Sequence, residues 1–460
     1  MKTCFDTSTM PAPAYPCPVC HSPGAQPVCW VESESAEKLF PTLYAYRCQA
    51  CASIYYDGED PVMGYENRSI FPNYWLHYVQ AGAGITAMLE PLFALGEPRN
   101  LSLLDVGCGF GFVVDFWNKT GMGRAVGLET AAYGALGREK LQAPIYAAYL
   151  DQCRELEGQA FDIVYASEVL EHVQKPLAFL KQLAGRLTPQ GLLVLTTPCS
   201  DAIVPDLGES LVAAALSPHF HYFVASPKAL AQLLAEAGFR QVKIHSTGSR
   251  MFAWASQVEL PALVPGRMDW PRYFAYLEAL SGHADPHVAC GALYRLFKDA
   301  LNTGHLDLAI RAFDRLQEQA LRHYGLSFDQ PCTQRYLDRR NATGALDTHP
   351  AWYGMALLFG GILVGHATGD RRRKWRLLDA AEQILRAEVT RATFRQYAQE
   401  AEHFAPYARE QLLVATAECL DAELSARDQS GQLADLARSI SLQSSMTSVC
   451  KTWSRTPPPS

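Results

Sequence analysis

The 460-residue sequence lacks an excess of basic residues. Its 40 Lys and Arg stand against 47 Asp and Glu, which gives a formal net charge of −7. Chains that wrap nucleic acid usually carry a clear basic excess, so this balance argues against a nucleic-acid partner, although it leaves a local basic patch open.

The sequence also lacks the features of secretion and membrane insertion. No basic stretch followed by an apolar run opens the chain, so we expect no signal peptide. The most apolar window, Trp352 to Ala367, is too short to cross a bilayer comfortably, and we expect a buried helix and no membrane span. The 13 cysteines, an odd number, argue against a disulfide framework, so we expect a reducing cytoplasm.

Four of the cysteines form two CxxC pairs near the N-terminus. They are Cys17, Cys20, Cys48 and Cys51. Each pair offers two thiolates from one tight turn, and two such turns can complete the tetrahedral coordination of Zn²⁺. Because four thiolates leave no open position, the metal is expected to be structural. The alternative is a pair of unmetallated structural or redox-active turns, and Cys29 and His21 are substitute ligands if one of the four is not used.

The pattern of apolar residues divides the chain into four parts. Residues 1–62 predict a zinc-ribbon-like module that opens with a Pro-rich lead, which we expect to be mobile. Residues 63–262 alternate short apolar strands with helices, which is typical of βαβ units on a parallel sheet. Residues 270–442 predict an all-α array of helical hairpins, and residues 302–313 within it resemble the turn of a tetratricopeptide-type repeat. Residues 443–460 are rich in Ser, Thr and Pro and are expected to be disordered.

Individual elements can be placed within this division. The five central strands are predicted at 101–106, 125–128, 145–148, 161–166 and 192–197, with two final strands at 241–245 and 252–257. Three helical hairpins are predicted, which pair 288–301 with 306–324, 352–365 with 372–388, and 406–426 with 432–440.

A glycine-rich turn follows the first central strand. Residues 103–111 read LLDVGCGFG, and the glycines allow a tight turn and a close approach to a ligand. The GxGxG spacing, with an acid at the end of the strand, resembles motif I of the class I S-adenosylmethionine-dependent methyltransferases, in their ubiquinone-biosynthesis-like and sugar-modifying branches. The resemblance implies a Rossmann-like, seven-stranded methyltransferase sheet and a turn that holds the methionine part of the cofactor. The residues that it assigns to the cofactor there are Asp105, Gly107, Cys108, Gly109 and Gly111.

Further segments match the same family in order. Glu129 ends the second strand, where a carboxylate can accept two hydrogen bonds from a ribose diol, although dehydrogenases use the same arrangement. The run from Phe161 to Val173 resembles a second signature of the family, and the segment from His219 to Phe223 resembles the loop after its fifth strand. Asp151 is predicted to contact the adenine, with a solvated helix start as the alternative.

Three histidines are candidates for catalysis. Methyl transfer from a sulfonium is an in-line displacement that needs positioning and exclusion of water, and also a base when the acceptor atom must lose a proton. His219 and His221 lie beyond the carboxyl edge of the predicted sheet, and His172 ends the second signature. Each could be the base, or could instead orient the loop or cap a strand. Four residues before the first strand could form a lid or a packed helix face: Tyr74, Trp75, His77 and Tyr78.

Together these features predict an S-adenosylmethionine-dependent methyltransferase with a structural Zn²⁺. The expected acceptor is a small molecule or glycan, such as a nucleotide-linked sugar, polysaccharide or secondary metabolite. Sugar C-methyltransferases of deoxysugar pathways also carry an N-terminal zinc domain, but they continue into another α/β domain, so O- or N-methylation fits equally well. A zinc-ribbon RNA methyltransferase is disfavoured by the few Lys and Arg in residues 15–60. A non-catalytic scaffold is the third hypothesis, and the helical region could bind a protein partner.

Overall fold

A computed structural model describes residues 2–32, 42–58, 74–80, 85–96, 98–340, 348–390 and 399–427. The predicted tail at 443–460 and the predicted helix at 432–440 lie outside these residues. None of the helices in the described ranges combines the length and the apolar character that crossing a membrane requires.

A seven-stranded sheet forms the centre of the fold and confirms the predicted α/β class. Its strands are β5 (Leu101–Val106), β6 (Gly123–Leu128), β7 (Ile145–Tyr146), β8 (Phe161–Ser167), β9 (Leu187–Pro198), β11 (Gln241–Thr247) and β12 (Arg250–Ser256). They lie in the order β11-β12-β9-β8-β5-β6-β7. The pairs from β7 to β9 are parallel, whereas β12 runs antiparallel to both β9 and β11. Because helices cover both faces, the central strands are continuous apolar runs that are buried on both sides.

Within the described residues, seven α-helices belong to this α/β part. They are α1 (Tyr74–Gln80), α2 (Ile85–Phe93), α3 (Phe112–Lys119), α4 (Ala132–Leu141), α5 (Pro176–Ala184), α6 (Glu209–Leu216) and α7 (Pro227–Glu236). The start of α7 follows local chemistry, because the Ser226 side chain accepts a hydrogen bond from the backbone N–H of Ala229 and Pro227 occupies the first helical position. The carboxyl ends of β5, β6, β8 and β9 meet at one edge of the sheet, which is where the candidate site lies.

The N-terminal module is built on a second sheet. Its strands are β1 (Lys2–Cys4), β2 (Ala25–Glu32), β3 (Leu43–Cys48) and β4 (Ile54–Tyr56), and the fifth strand is β10 (Phe223–Val224) from the α/β part. The prediction of a mobile lead is wrong for its first residues, because Lys2–Cys4 pair with Trp30–Glu32 along β2. The boundary predicted at residue 62 also cannot separate the two parts completely, since β10 completes the sheet of the module.

After the sheet, the ranges that the structure describes contain seven further α-helices. They are α8 (Trp270–Leu280), α9 (Pro286–Asn302), α10 (Leu306–Tyr324), α11 (Thr333–Arg340), α12 (Tyr353–Ala367), α13 (Arg371–Thr390) and α14 (Gln399–Arg427). The first two predicted hairpins are present as α9 with α10 and α12 with α13. In place of the start predicted at residue 406, α14 begins at Gln399, carries Pro406 inside it and packs on α13.

The helical region shares its core with the α/β part. A single apolar cluster joins α2, α3 and one face of the sheet to the helices α8 to α14. A polar contact crosses the same boundary. The Tyr276 hydroxyl in α8 donates a hydrogen bond to Asp115 in α3 at 2.9 Å. The helices therefore form a layer on one face of the sheet.

Candidate functional site

The turn between β5 and α3 requires glycine at three positions. Gly107, Gly109 and Gly111 have φ angles of 75°, 59° and 87°, which lie in the left-handed region that side chains disfavour. A Cβ on Gly107 would also lie 2.5 Å from Cγ2 of Val169. The segment after β8 therefore packs directly on the glycine turn.

Two buried carboxyl groups lie beside this turn. Glu129 accepts hydrogen bonds from the backbone N–H groups of Gly109, at 3.1 Å, and Ala131, at 2.8 Å. Asp105, at the end of β5, is only 2% exposed. Burial, together with the nearby charge of Glu129, raises the pKa of Asp105 to about 8. A ligand cation beside Asp105 would stabilise its ionised form.

Two tyrosines flank the middle glycine of the turn. A Cβ on Gly109 would lie 3.5 Å from the hydroxyl oxygen of Tyr78 and 3.8 Å from Cε2 of Tyr133. The ring of Tyr78 also stacks on Phe112, with centroids 6.0 Å apart. Tyr78 also packs against the apolar cluster beside the sheet, as the alternative of a packed helix face predicts, and its role as a lid stays a prediction. The side chains of Tyr74, Trp75 and His77 lie outside the described ones. Sequence reasoning missed Tyr133, although its place at the start of the helix after Glu129 was a usable signal.

Cys108 and Asp151 occupy different surroundings from the other predicted cofactor residues. A Cβ on Gly127 would lie 2.5 Å from Sγ of Cys108, so this side chain packs against β6 and only its backbone belongs to the turn. Asp151 is exposed in the turn after β7, next to the buried Leu150. Its contact with adenine stays a prediction.

Two of the three candidate histidines lie in contact, one from the segment after β8 and one from the loop before β10. The rings of His172 and His221 are in a T-shaped arrangement with centroids 4.6 Å apart. Glu171, which is fully buried, places Oε1 4.0 Å from Nε2 of each ring. Burial raises the pKa of Glu171 and lowers the pKa of His221. His219 is also buried, with a φ of 69°, but it does not belong to this group of three.

Glu168 lies next to this group and was not singled out from the sequence. It has a φ of 55°, accepts a hydrogen bond from Oγ1 of Thr196 at 2.8 Å, and is 3.3 Å from Nε of Arg250. The run Glu168-Val-Leu-Glu171-His172 thus places both acids and one histidine beside the turn that is expected to hold the cofactor. Two acids in that run, three residues apart and followed by histidine, were the available signal.

The four predicted cysteine ligands converge, as the CxxC spacing requires. Sγ of Cys17 is 3.7 Å from Sγ of Cys51, Sγ of Cys20 is 3.4 Å from Sγ of Cys48, and all four sulfur atoms lie within 4.8 Å of one another. Four sulfur atoms about 3.8 Å apart surround a tetrahedral Zn²⁺ at the usual Zn–S distance of about 2.3 Å. The arrangement therefore fits zinc. Cys29 packs in a separate apolar cluster, so neither substitute ligand is needed.

The second cysteine turn is attached to the α/β part through its backbone. The Ser226 hydroxyl donates to the carbonyl of Cys51, and the Ser200 hydroxyl donates to the carbonyl of Ala52 at 3.0 Å. Lys228 donates to the carbonyl of Ala50 at 2.7 Å. The cysteine cluster thus supports the two ends of residues 200–226, the segment that carries His221.

Known proteins resemble the central part of the chain. Residues 75–244 match the family model of a methyltransferase domain. A tRNA U34 carboxymethyltransferase from Vibrio campbellii is 33% identical over 160 residues, which cover 32% of this chain and 47% of that protein. A ubiquinone biosynthesis O-methyltransferase from Bradyrhizobium sp. is 36% identical over 102 residues, 21% of this chain and 40% of that protein.

A solved structure of an S-adenosylmethionine-dependent methyltransferase from Aquifex aeolicus is 18% identical to the chain. It aligns with a TM-score of 0.30 and covers 38% of this chain and 94% of its own. The chain spans about half the length of the curated relatives it matches.

Proposed function

We propose that this chain, which contains a class I S-adenosylmethionine-dependent methyltransferase domain, transfers a methyl group from S-adenosylmethionine to a small-molecule or glycan acceptor. The observation that carries the proposal is the glycine turn at Gly107–Gly111, which lies between Asp105 and Glu129 at the carboxyl edge of the sheet. The family match over residues 75–244 supports it.

In this proposal the residues around the turn bind different parts of the cofactor. Asp105 holds the amino group, because its buried carboxyl group gains a counter-ion there. Glu129 accepts hydrogen bonds from the ribose hydroxyls, and the backbone of Gly107 to Gly111 approaches the methionine part. Tyr78 and Tyr133 exclude water from this side. Asp151 is proposed, from the sequence, to contact the adenine.

The acceptor would bind where the segment after β8 meets the loop before β10. Val169 packs on Gly107, so its neighbours Glu171 and His172 lie one turn away from the cofactor, and His221 reaches them from the loop. Binding there would hold the acceptor atom in line with the sulfonium methyl, which is the main contribution that such an enzyme makes. The bound Zn²⁺ at the four cysteines would support the loop without touching the acceptor.

An RNA acceptor is the second candidate. The relatives that act on tRNA by name align over about a third of this chain, and this reopens an acceptor class that the net charge disfavoured. A protein partner on the helical region and a cytoplasmic location stay predictions.

Cofactor binding and methyl transfer can be measured separately. Calorimetry with S-adenosylhomocysteine should show one site, and absence of heat at millimolar ligand would refute the cofactor assignment. Incubation with methyl-labelled cofactor and either the RNA or the small-molecule and glycan fraction of a cell extract then identifies the acceptor class. Label in RNA alone would favour the second candidate, and the Gly107→Ala variant provides the background level.

A further inference from the structure

The helical region contacts α1 directly, next to the proposed cofactor site. Gly291 in α9 lies against Val79 in α1, and a Cβ added to Gly291 would be only 2.4 Å from the carbonyl oxygen of Val79. Two backbones can approach this closely only where one residue has no side chain, so this position requires glycine. Gly291 lies beyond residues 75–244, which match the methyltransferase family model. The helical region therefore adds a contact that the matched domain does not contain.

Gln80, the last residue of α1, is attached to the same region at both ends of its amide group. Its Oε1 accepts a hydrogen bond from the backbone N–H of Ala351 at 3.1 Å, and its Nε2 is 3.1 Å from Nδ1 of His287. The first bond determines the orientation of the amide, so Nε2 donates to His287. The Gln80 side chain is completely buried, and losing these partners inside the protein would be costly. The end of α1 is therefore fixed between α9 and the segment before α12.

Arg295 joins α1 to the start of α3 on the same side. Its side chain is only 1% exposed, Nη1 donates to the carbonyl oxygen of Val79 at 3.4 Å, and Cζ lies 4.8 Å from the ring centroid of Phe112. Its Nε and Nη2 have no hydrogen-bond partner among the residues that the structure describes. Burying a guanidinium that uses so few of its donors costs stability, so stability alone does not explain this residue. Its contacts instead connect the two helices that border the glycine turn.

These contacts determine where Tyr78 lies. Tyr78 immediately precedes the two residues that the helical region holds, and its ring stacks on Phe112, the residue that Arg295 contacts from α9. Its hydroxyl oxygen would be 3.5 Å from a Cβ on Gly109. A helix of seven residues is too short to be stable without tertiary contacts, so the position of α1 depends on its neighbours.

We propose that the helical region is a positioning element of the cofactor site. Gly291, His287 and the backbone N–H of Ala351 hold α1 in the place where Tyr78 covers the glycine turn. The effect on the cofactor rests on the proposed methyltransferase function, whereas the hold on α1 does not. None of these groups contacts the reacting atoms, so they act through Tyr78, and changes confined to the helical region alter cofactor affinity.

Gly291 and Gly360 are interior helix glycines that both have a neighbour in the place of a Cβ. For Gly360 in α12 this neighbour is Cζ of Phe313 at 2.5 Å, a contact within the helical region. We expect Gly291→Ala and Gly360→Ala to lower the thermal midpoint of the full chain to a similar degree. Only Gly291→Ala should accelerate hydrogen exchange in residues 74–80, and only this variant should weaken S-adenosylhomocysteine binding in calorimetry, by about tenfold.

A second pair of variants adds no atoms to the contact. Gln80→Leu removes both hydrogen bonds of its amide to the helical region. Gln383→Leu removes two comparable bonds within that region, one from Thr333 and one to Asp379, each at 2.8 Å. We expect only Gln80→Leu to accelerate exchange in residues 74–80 and to weaken the affinity. In a Tyr78→Ala background Gln80→Leu should cause no further loss, because its effect passes through Tyr78.

The outcomes separate this proposal from the proposed function. Wild-type affinity in both Gly291→Ala and Gln80→Leu would overturn the proposal, and so would equal losses in their controls or full additivity with Tyr78→Ala. Failure of the wild type to bind S-adenosylhomocysteine would refute the methyltransferase function. Faster exchange of residues 74–80 in Gly291→Ala alone would then leave the hold on α1 standing, and unchanged exchange would refute that as well.

Discussion

The hydroxyl group of Tyr56, in the N-terminal module, donates a hydrogen bond to the carbonyl oxygen of Leu216, at the end of α6, over 2.9 Å. Next to it, β10 pairs Phe223 with Tyr55 and Val224 with Ile54. The loop that carries His221 lies between these two attachments. The cysteine module therefore holds both ends of the loop that borders the proposed acceptor site.

Two neighbouring tyrosines of β4 allow the stability of the N-terminal module to be measured separately from its effect on the loop that carries His221. Tyr56 bonds across to Leu216, whereas the Tyr55 hydroxyl donates to the carbonyl of Tyr15 within the module at 3.2 Å. We expect Tyr56→Phe and Tyr55→Phe each to lower the free energy of unfolding by about 1–2 kcal/mol. Only Tyr56→Phe should accelerate hydrogen exchange in residues 217–224. Equal acceleration by the two variants would contradict this coupling.

Removal of the metal from the cysteine site should loosen the same loop. We expect one equivalent of zinc in the purified protein, lost in Cys20→Ser and kept in the control Cys29→Ser, whose sulfur belongs to a different cluster. Loss of a structural zinc should destabilise the protein by several kcal/mol, because binding and folding are coupled. Metal analysis together with hydrogen exchange at residues 217–228 measures both effects, and a zinc-free Cys20→Ser with wild-type exchange would argue against the coupling.

The parts of the site that sequence reasoning predicted correctly are those set by local patterns. The glycines of the turn and the two CxxC pairs act through spacings of a few residues. Their geometry follows from backbone conformation and from the preference of zinc for four thiolates. The inner strands of the sheet are predictable for a similar reason, because β5, β6 and β8 are short runs of mostly buried residues.

Long-range contacts explain what the sequence did not show. Glu171 and His221 meet through the loop before β10, a strand that pairs with the cysteine module, and no local pattern connects residues 171 and 221. The pairing of Lys2–Cys4 with β2 is likewise a tertiary contact, and it overrides the turn-forming composition that made the lead look mobile. The helical region packs on the sheet through apolar helix faces. A prediction of separate hairpins assigns those faces to contacts between the paired helices, so it does not show the contact with the sheet.

Two glycines with nearly the same backbone conformation allow a matched test of the turn. Gly107 has a φ of 75° and its Cβ would meet Val169, whereas Gly158 has a φ of 72° and open space around it. Both Gly107→Ala and Gly158→Ala should cost about 1–2 kcal/mol of stability from the left-handed conformation. Only Gly107→Ala should also weaken the binding of S-adenosylhomocysteine, by about tenfold or more, because the turn must move. Calorimetry measures the affinity, and an equal loss in Gly158→Ala would remove the turn from the binding site.

Cofactor affinity should depend on pH through Asp105. Burial raises the pKa of this carboxyl group to about 8, so the unliganded protein holds it mostly protonated at pH 6 to 7. An ammonium group of the ligand binds the carboxylate form, so binding must release the proton. The affinity for S-adenosylhomocysteine should therefore rise by close to tenfold per pH unit in this range and level off near pH 8. Asp105→Asn has no such proton to release, so its affinity should be weaker at pH 8 and nearly independent of pH between 6 and 7. A wild-type affinity that does not change over this range would show that Asp105 is already ionised or that it does not hold the amino group.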